Sequence, residues 1–122
     1  MLNQADVVAN IAVKDMAAAK KFYNETLELE IEHEDDFGVT FKSGSTKLFV
    51  YNSPKAGTAQ STVASWEVKD IKAAVKQLTD KVEFERYEFP GAEHDGPVHI
   101  LGGYKSVWFK DPDGNTLAVN QT

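Results

Sequence analysis

The chain repeats itself. Val13-Lys14-Asp15-Met16-Ala17-Ala18-Ala19 returns 55 residues later as Val68-Lys69-Asp70-Ile71-Lys72-Ala73-Ala74. At the same spacing Leu27-Glu28-Leu29-Glu30 matches Val82-Glu83-Phe84-Glu85. Further on, Val39-Thr40-Phe41-Lys42 matches Val107-Trp108-Phe109-Lys110 at a spacing of 68, so the second copy carries 13 additional residues. Internal self-similarity of this kind constrains a fold more than local propensity does. No Pro-, Gly- or Ser-rich linker separates the copies. Gly57–Thr62 therefore reads as a short connection within one domain of residues 1–122, with one module over about 5–54 and the other over about 61–122.

Each copy spells the same order of elements. Val7–Val13 is a short strand, and Asp15 follows as an N-cap whose carboxylate can accept from free amides of the first helical turn. A helix runs to about Thr26, with Met16, Ala19, Phe22, Tyr23 and Leu27 near helical spacing. Leu29 and Ile31 then alternate with Glu28, Glu30 and Glu32, as in a half-buried strand. Phe37–Lys42 and Lys47–Asn52 form a hairpin across Ser43-Gly44-Ser45. In the second copy Val63–Val68 is the strand and Asp70 the cap, and Ile71, Ala74, Val75 and Leu78 share a helix face. Val82–Tyr87 is the next strand; Lys105–Lys110 and Asn115–Asn120 are the last two, joined by Asp111-Pro112-Asp113-Gly114. In that turn Pro presets φ and Gly accepts positive φ. The expected fold class is α+β: two tandem βαβββ modules forming a curved, incompletely closed eight-stranded sheet around a cavity. The inserted segment 88–104, rich in Gly and Pro, is expected to be a loop over the cavity mouth.

These residues carry a family resemblance. Val13-Lys14-Asp15 with Phe22-Tyr23, and Trp108-Phe109-Lys110-Asp111-Pro112-Asp113-Gly114-Asn115, resemble the two halves of the glyoxalase/bleomycin-resistance/extradiol-dioxygenase superfamily, also called vicinal oxygen chelate proteins. The resemblance covers nearly the whole chain. It implies paired βαβββ modules, usually a homodimer, and in the enzymes a divalent metal held by one residue from each of four strands. Counting from Asp15, Asp70 and Gly114 and applying the 68-residue spacing, the equivalent positions are Val8, Val63, Ala118 and Val50. Metal ions need nitrogen, oxygen or sulfur donors, and these side chains have none. The sequence therefore resembles the metal-free, bleomycin-binding type more than the metalloenzymes, and no cofactor is expected.

Strand alternation converts that registration into faces. Val8, Asn10 and Ala12 share the cavity face, as do Val63, Ser65 and Glu67. Leu48, Val50 and Asn52 are assigned inward, with Thr116, Ala118 and Asn120, and Thr40 and Trp108 join them. Phe49 and Tyr51 are assigned to the core. The expected ligand contacts are Asn10, Asn52, Ser65, Glu67, His94, His99, Trp108 and Asn120, around an apolar wall of Val8, Val50, Val63 and Ala118. Several keep a plainer reading: Trp108 as interface packing, Asn52 and Asn120 as partners of strand-end backbone, Glu67 as a solubilising charge, His94 and His99 as surface histidines.

The function expected is metal-free binding of an antibiotic-like or aromatic small molecule. The alternative is a lyase, isomerase or dioxygenase-like enzyme using non-standard residues such as Glu67 or the His94/His99 pair; no catalytic residue is identified. A net charge of −6, from 13 basic and 19 acidic residues, disfavours nucleic acid. There is no apolar run long enough for a membrane span and no signal-peptide pattern, so a cytoplasmic location is expected. Absence of cysteine excludes disulfides and thiolate chemistry. No phosphate-binding loop, dinucleotide fingerprint or nucleophile elbow is present.

Overall fold

The computed structural model describes residues 1–122. The first unit runs β1 (Ala9–Val13), α1 (Met16–Lys21), β2 (Glu30–Asp35), β3 (Gly38–Ser43) and β4 (Thr46–Asn52). The second runs β5 (Thr62–Glu67), α2 (Ile71–Leu78), β6 (Phe84–Glu85), β7 (Glu93–Asp95), β8 (Val98–Leu101), β9 (Tyr104–Lys110) and β10 (Thr116–Gln121). They build two mixed sheets, one of four strands ordered β1-β4-β3-β2 and one of six ordered β5-β10-β9-β8-β7 with β6 also on β9. The architecture is α+β with two helices, and the sheets do not close into a barrel. No helix is long and apolar enough to cross a membrane.

Both helices begin as the sequence requires. The Asp15 carboxylate accepts from Ala18 N–H at 3.0 Å, and Asp70 accepts from Ala73 N–H at 3.2 Å. The first helix widens into a π turn over Phe22–Thr26, closed by Leu27 N–H donating to Phe22 C=O at 3.0 Å.

The inserted segment is not a loop. It contains the hairpin β7–β8, which extends the second sheet. Gly96-Pro97 turns that hairpin, with Gly96 at φ 59°, and Gly102-Gly103 turns the next one. Both are two-residue turns, which demand glycine where φ is positive. The hairpin also shortens the strand expected over Val82–Tyr87. β8 takes the edge of β9 at Tyr104–Ser106, leaving β6 only Trp108 and Phe109 to pair with. The expected eight strands thus become ten.

The two units share one hydrophobic core. Ile11, Tyr23 and Phe41 from the first join Ile71, Phe109 and Leu117 from the second. Phe22 lies 6.5 Å from Phe109, centroid to centroid. Polar bonds also cross the junction, centred on the buried Asp111. One carboxylate oxygen accepts from Asp113 N–H (3.0 Å) and Asn115 N–H (2.9 Å); the other accepts from Tyr23 O–H (2.8 Å) and the Asn115 amide (2.9 Å). Asn115 in turn donates to Ala12 C=O at 2.8 Å and accepts from Gly57 N–H at 3.2 Å. Gly57 adopts φ 71°, and a β-carbon there would lie 2.1 Å from the Asp113 carbonyl oxygen. Burial and the adjacent carboxylate push the Tyr23 phenol far above its ordinary pKa, so it stays a donor. A hydrogen bond to a charged group contributes about 1.5–3 kcal/mol. Tyr23→Phe is expected to lower unfolding free energy by that amount in urea, and Asp111→Asn by more, because its amide faces donors. A loss below about 0.5 kcal/mol for Tyr23→Phe would remove this bond from the junction's energetics.

Candidate functional site

Residues directly paired across strands share a sheet face. On β9 and β10, Trp108 pairs with Ala118, which pairs with Ser65 of β5. The next row runs through His94, His99, Ser106, Asn120 and Glu67 across all five strands of the sheet's main path. This face lies opposite the core, which takes Val107, Phe109, Leu117 and Val119.

Four assigned positions fall elsewhere: Leu48, Val50, Asn52 and Val63. β1 and β4 pair in parallel, with Asn10 beside Phe49 and Ile11 beside Val50. Val50 is 0% exposed and packs in the core with Leu48. The β4 assignment is therefore inverted: Phe49 and Tyr51 share the face of Asn10 and Ala12, while Leu48, Val50 and Asn52 lie on the helix side. The cause is one residue. Thr40 opposes Phe49 in the first hairpin and Trp108 opposes Ala118 in the second, whose turn is one residue longer. Carrying the 68-residue spacing across that turn slips the register by one and flips the strand. Asn52 consequently lines a surface pocket with Val13 and Lys14. Val63 departs for a different reason. A β-bulge puts Thr62 opposite Thr116 and Ala64 opposite Leu117, leaving Val63 between them, against the core. Val8 precedes β1 and is partly exposed; Ala118 keeps its assigned face.

The metal expected of the enzymes finds no fit in these residues. Phe49, which replaces Val50 on this face, has no donor atom either. No group of three or more His, Asp or Glu side chains converges anywhere in the molecule.

Aromatic rings converge instead. Trp108 meets Tyr87 edge-on at 5.4 Å, His99 edge-on at 4.9 Å, and Phe89 at 5.8 Å. The Trp108 indole N–H donates to Thr62 Oγ1 at 3.1 Å, which fixes its ring. Beside it opens a cavity of about 320 Å³ lined by Gln60, Ser61, Thr62, Tyr87, Phe89, Trp108 and Thr116. Lys110 donates to Thr116 Oγ1 at 2.7 Å, near the carboxylate of Glu85 at 3.9 Å. Burial and then Glu85 raise the Tyr87 phenol above its ordinary pKa, keeping this wall neutral. On the first unit Phe49 and Tyr51 stack at 5.9 Å, nearly parallel.

Tyr87 and Phe89 escape sequence reasoning because β6 stops at Glu85, short of the expected Val82–Tyr87 strand, so strand alternation does not place them. Their signal is the aromatic pair just before Pro90-Gly91. The histidines explain how this segment is held. His99 is 0% exposed, not a surface residue, and its Nε2 accepts from Tyr87 N–H at 2.9 Å. His94 Nε2 donates to Tyr87 C=O at 3.1 Å. Together the two rings, 4.7 Å apart, hold both backbone polar groups of Tyr87. Asn120 accepts from Ser106 Oγ at 2.8 Å, and Glu67 accepts from Thr122 N–H and O–H. Asn10 donates to Val8 C=O at 3.0 Å, and Ser65 is exposed on the same face as Trp108. The acidic run is partly neutralised by Lys20 on Glu34 and Lys47 on Glu32.

With Nε2 accepting, the proton of His99 sits on Nδ1, beside the Pro97 and Ser106 carbonyls but outside good hydrogen-bond geometry with either. Burial, then the neighbouring His94, depress the His99 pKa; the Pro97 and Ser106 carbonyls oppose this and Arg86 adds to it. Above its unfolded value of about 6.5 the ring is neutral in both states. Below that, the unfolded chain takes up the proton first, so stability falls as pH drops toward the folded pKa. Thermal unfolding between pH 8 and 5 should show a steeper decline below about pH 6.5 for the native protein than for His99→Gln. Parallel curves would assign the decline to another group.

Comparisons with known proteins bear on the fold. A family model described as the Glyoxalase/Bleomycin resistance protein/Dioxygenase superfamily matches residues 4–119. No curated protein sequence matches. Among solved structures, the bleomycin-binding protein of Streptomyces verticillus, complexed with copper(II)-bleomycin, superposes with a TM-score of 0.74 at 20% identity, covering 100% of this chain and 99% of that one. TnmS3, an antibiotic-binding protein of a Streptomyces species, gives 0.68 at 22% identity over 97% of each chain. Lactoylglutathione lyase of Agrobacterium tumefaciens gives 0.69 at 18% identity over 97% of this chain and 93% of its own. At such identities the structures speak to fold, whereas the family model spans nearly the full sequence: this chain belongs to the Glyoxalase/Bleomycin resistance protein/Dioxygenase superfamily.

Proposed function

We propose that the protein binds a planar aromatic, antibiotic-like small molecule without a metal, in the cavity walled by Tyr87, Phe89 and Trp108. The observation that carries this reading is the cavity itself: about 320 Å³, aromatic on one side and hydroxyl-bearing on the other. Ligand pockets commonly combine such a volume, from about 300 Å³ upward, with apolar walls and a few polar groups. Aromatic rings prefer edge-on or offset stacking, so a flat ligand can pack against the outer side of the Trp108–Phe89 pair. Two structural neighbours, TnmS3 and the Streptomyces verticillus protein, bind an antibiotic and bleomycin respectively, which supports the same reading. The enzyme alternative draws less support from the site. Its residues Glu67, His94 and His99 are engaged with Thr122 and the Tyr87 backbone.

The remaining expectations join this proposal. Residues 1–122 act as one domain in the cytoplasm, and the chain forms a homodimer. Leu2 (74% exposed) and Phe37 (80%) are apolar side chains left in water, as at an unfilled interface. Ser65 and Asn120 serve as polar contacts on the ligand's side of the second sheet, and Asn10 as one on the first.

Native mass spectrometry against a panel of planar aromatic antibiotics should give one saturable complex per subunit. Trp108→Ala is expected to weaken it at least tenfold, about 1.4 kcal/mol, while EDTA leaves it unchanged. Binding that survives both Trp108→Ala and Tyr87→Ala undiminished would place the ligand elsewhere, and loss with EDTA would make the site metal-dependent.

A further inference from the structure

We propose that a second binding site, separate from the aromatic cavity, lies on the opposite face of the second sheet and takes a single-ring phenol. Trp108 and Phe109 are neighbours in β9 and so point to opposite faces. Against Phe109, a cavity of about 180 Å³ opens between the end of the first helix and α2. Its apolar walls include Leu27, Leu29, Trp66, Ala74, Leu78 and Phe109.

Size selects the occupant. An apolar cavity of about 150 Å³ stays dry and takes benzene. The space here suits one ring with a substituent and is too small for a fused polycycle. Its walls are preformed: the Trp66 indole N–H donates to Ser43 Oγ at 2.9 Å, and Phe109 sits edge-on to Phe84 at 6.4 Å. Preorganised walls keep the ordering cost of binding small.

The mouth selects the substituent. Glu28, Gln77 and Lys81 line it, and neither Glu28 nor Lys81 forms an ion pair. Glu28 is the one non-glycine residue with a left-handed backbone, at φ 61°. It occupies the closing position of the first helix, where Leu29 N–H returns to Tyr23 C=O at 3.0 Å. Glycine fills such a position without strain, and glutamate does not. Strain of this kind gathers at ligand sites. Here it keeps a carboxylate at the mouth of an apolar cavity, where a phenol hydroxyl can donate to it while the ring is buried.

Trp66 is the reporter. In Trp108→Phe it is the remaining tryptophan, and titration with 4-bromophenol, whose heavy atom quenches indole emission, should give saturable quenching with a midpoint on the order of 1 mM or below. Ala74→Leu and Ala74→Phe, added to that background, fill the cavity and are expected to weaken binding at least about tenfold, with circular dichroism as the check on folding. Glu28→Gly should raise thermal stability yet weaken binding about three- to tenfold. Should both Ala74 variants unfold, amide shifts in the native protein decide: 4-bromophenol should move Leu29, Ala74 and Leu78. Unsaturable quenching, an unchanged midpoint in the folded Ala74 variants, or shifts confined to residues around Thr62 and Trp108 would overturn the site. Unchanged affinity in Glu28→Gly would overturn its assignment to a phenol.

Discussion

A buried carboxylate with no cation beside it organises this molecule. Asp111 receives four donors, from Tyr23, Asp113 and twice from Asn115. Removing an ion from water costs several kcal/mol even after relaxation, and a charged hydrogen bond returns about 1.5–3 kcal/mol. The arrangement is therefore favourable only when the donors are all in place. Two of the three donor residues lie in the final turn, and the third lies in the helix of the first unit. Through Asn115 the same network reaches the end of β1 and the connector at Gly57. Geometry more than net stability follows from it: the helix of one unit, the last turn of the other and the chain between them can satisfy Asp111 in one relative placement.

The sequence made the skeleton legible because duplication gives two readings of each element. Both N-caps, the faces of β3 and β9, and the core side of β10 follow from it directly. What it hid were single-residue changes. Period-two strands convert one extra turn residue into a full exchange of faces, which is why Val50 went to the core and Phe49 came out. The bulge on β5 displaced Val63 alone and left Ser65 and Glu67 on their assigned face. Gly96-Pro97 and Gly102-Gly103 are equally good as loop or as hairpin turns by composition. Pairing with β9 decided between them, and that is a long-range fact.

The site was legible to the extent that it lies on strands. Trp108, Ser65 and Asn120 follow from alternation along β9, β5 and β10. Tyr87 and Phe89 reach the cavity only because His99 and His94 grip the Tyr87 backbone, and those partners lie 12 and 7 residues away in sequence. The histidines look in the sequence like candidates for chemistry. In the structure they shape a wall.

The position of β10 carries one more consequence. Thr116–Gln121 form the last strand in sequence order, yet this strand lies between β5 and β9 rather than at an edge. Asp111 and Asn115 arrive with it. During synthesis the first unit emerges early, but Tyr23 has no acceptor and β5 has no strand neighbour until Asp111 and β10 emerge. Pairing of β5 therefore waits for β10, and the nascent chain presents an unpaired β5 edge until that strand emerges.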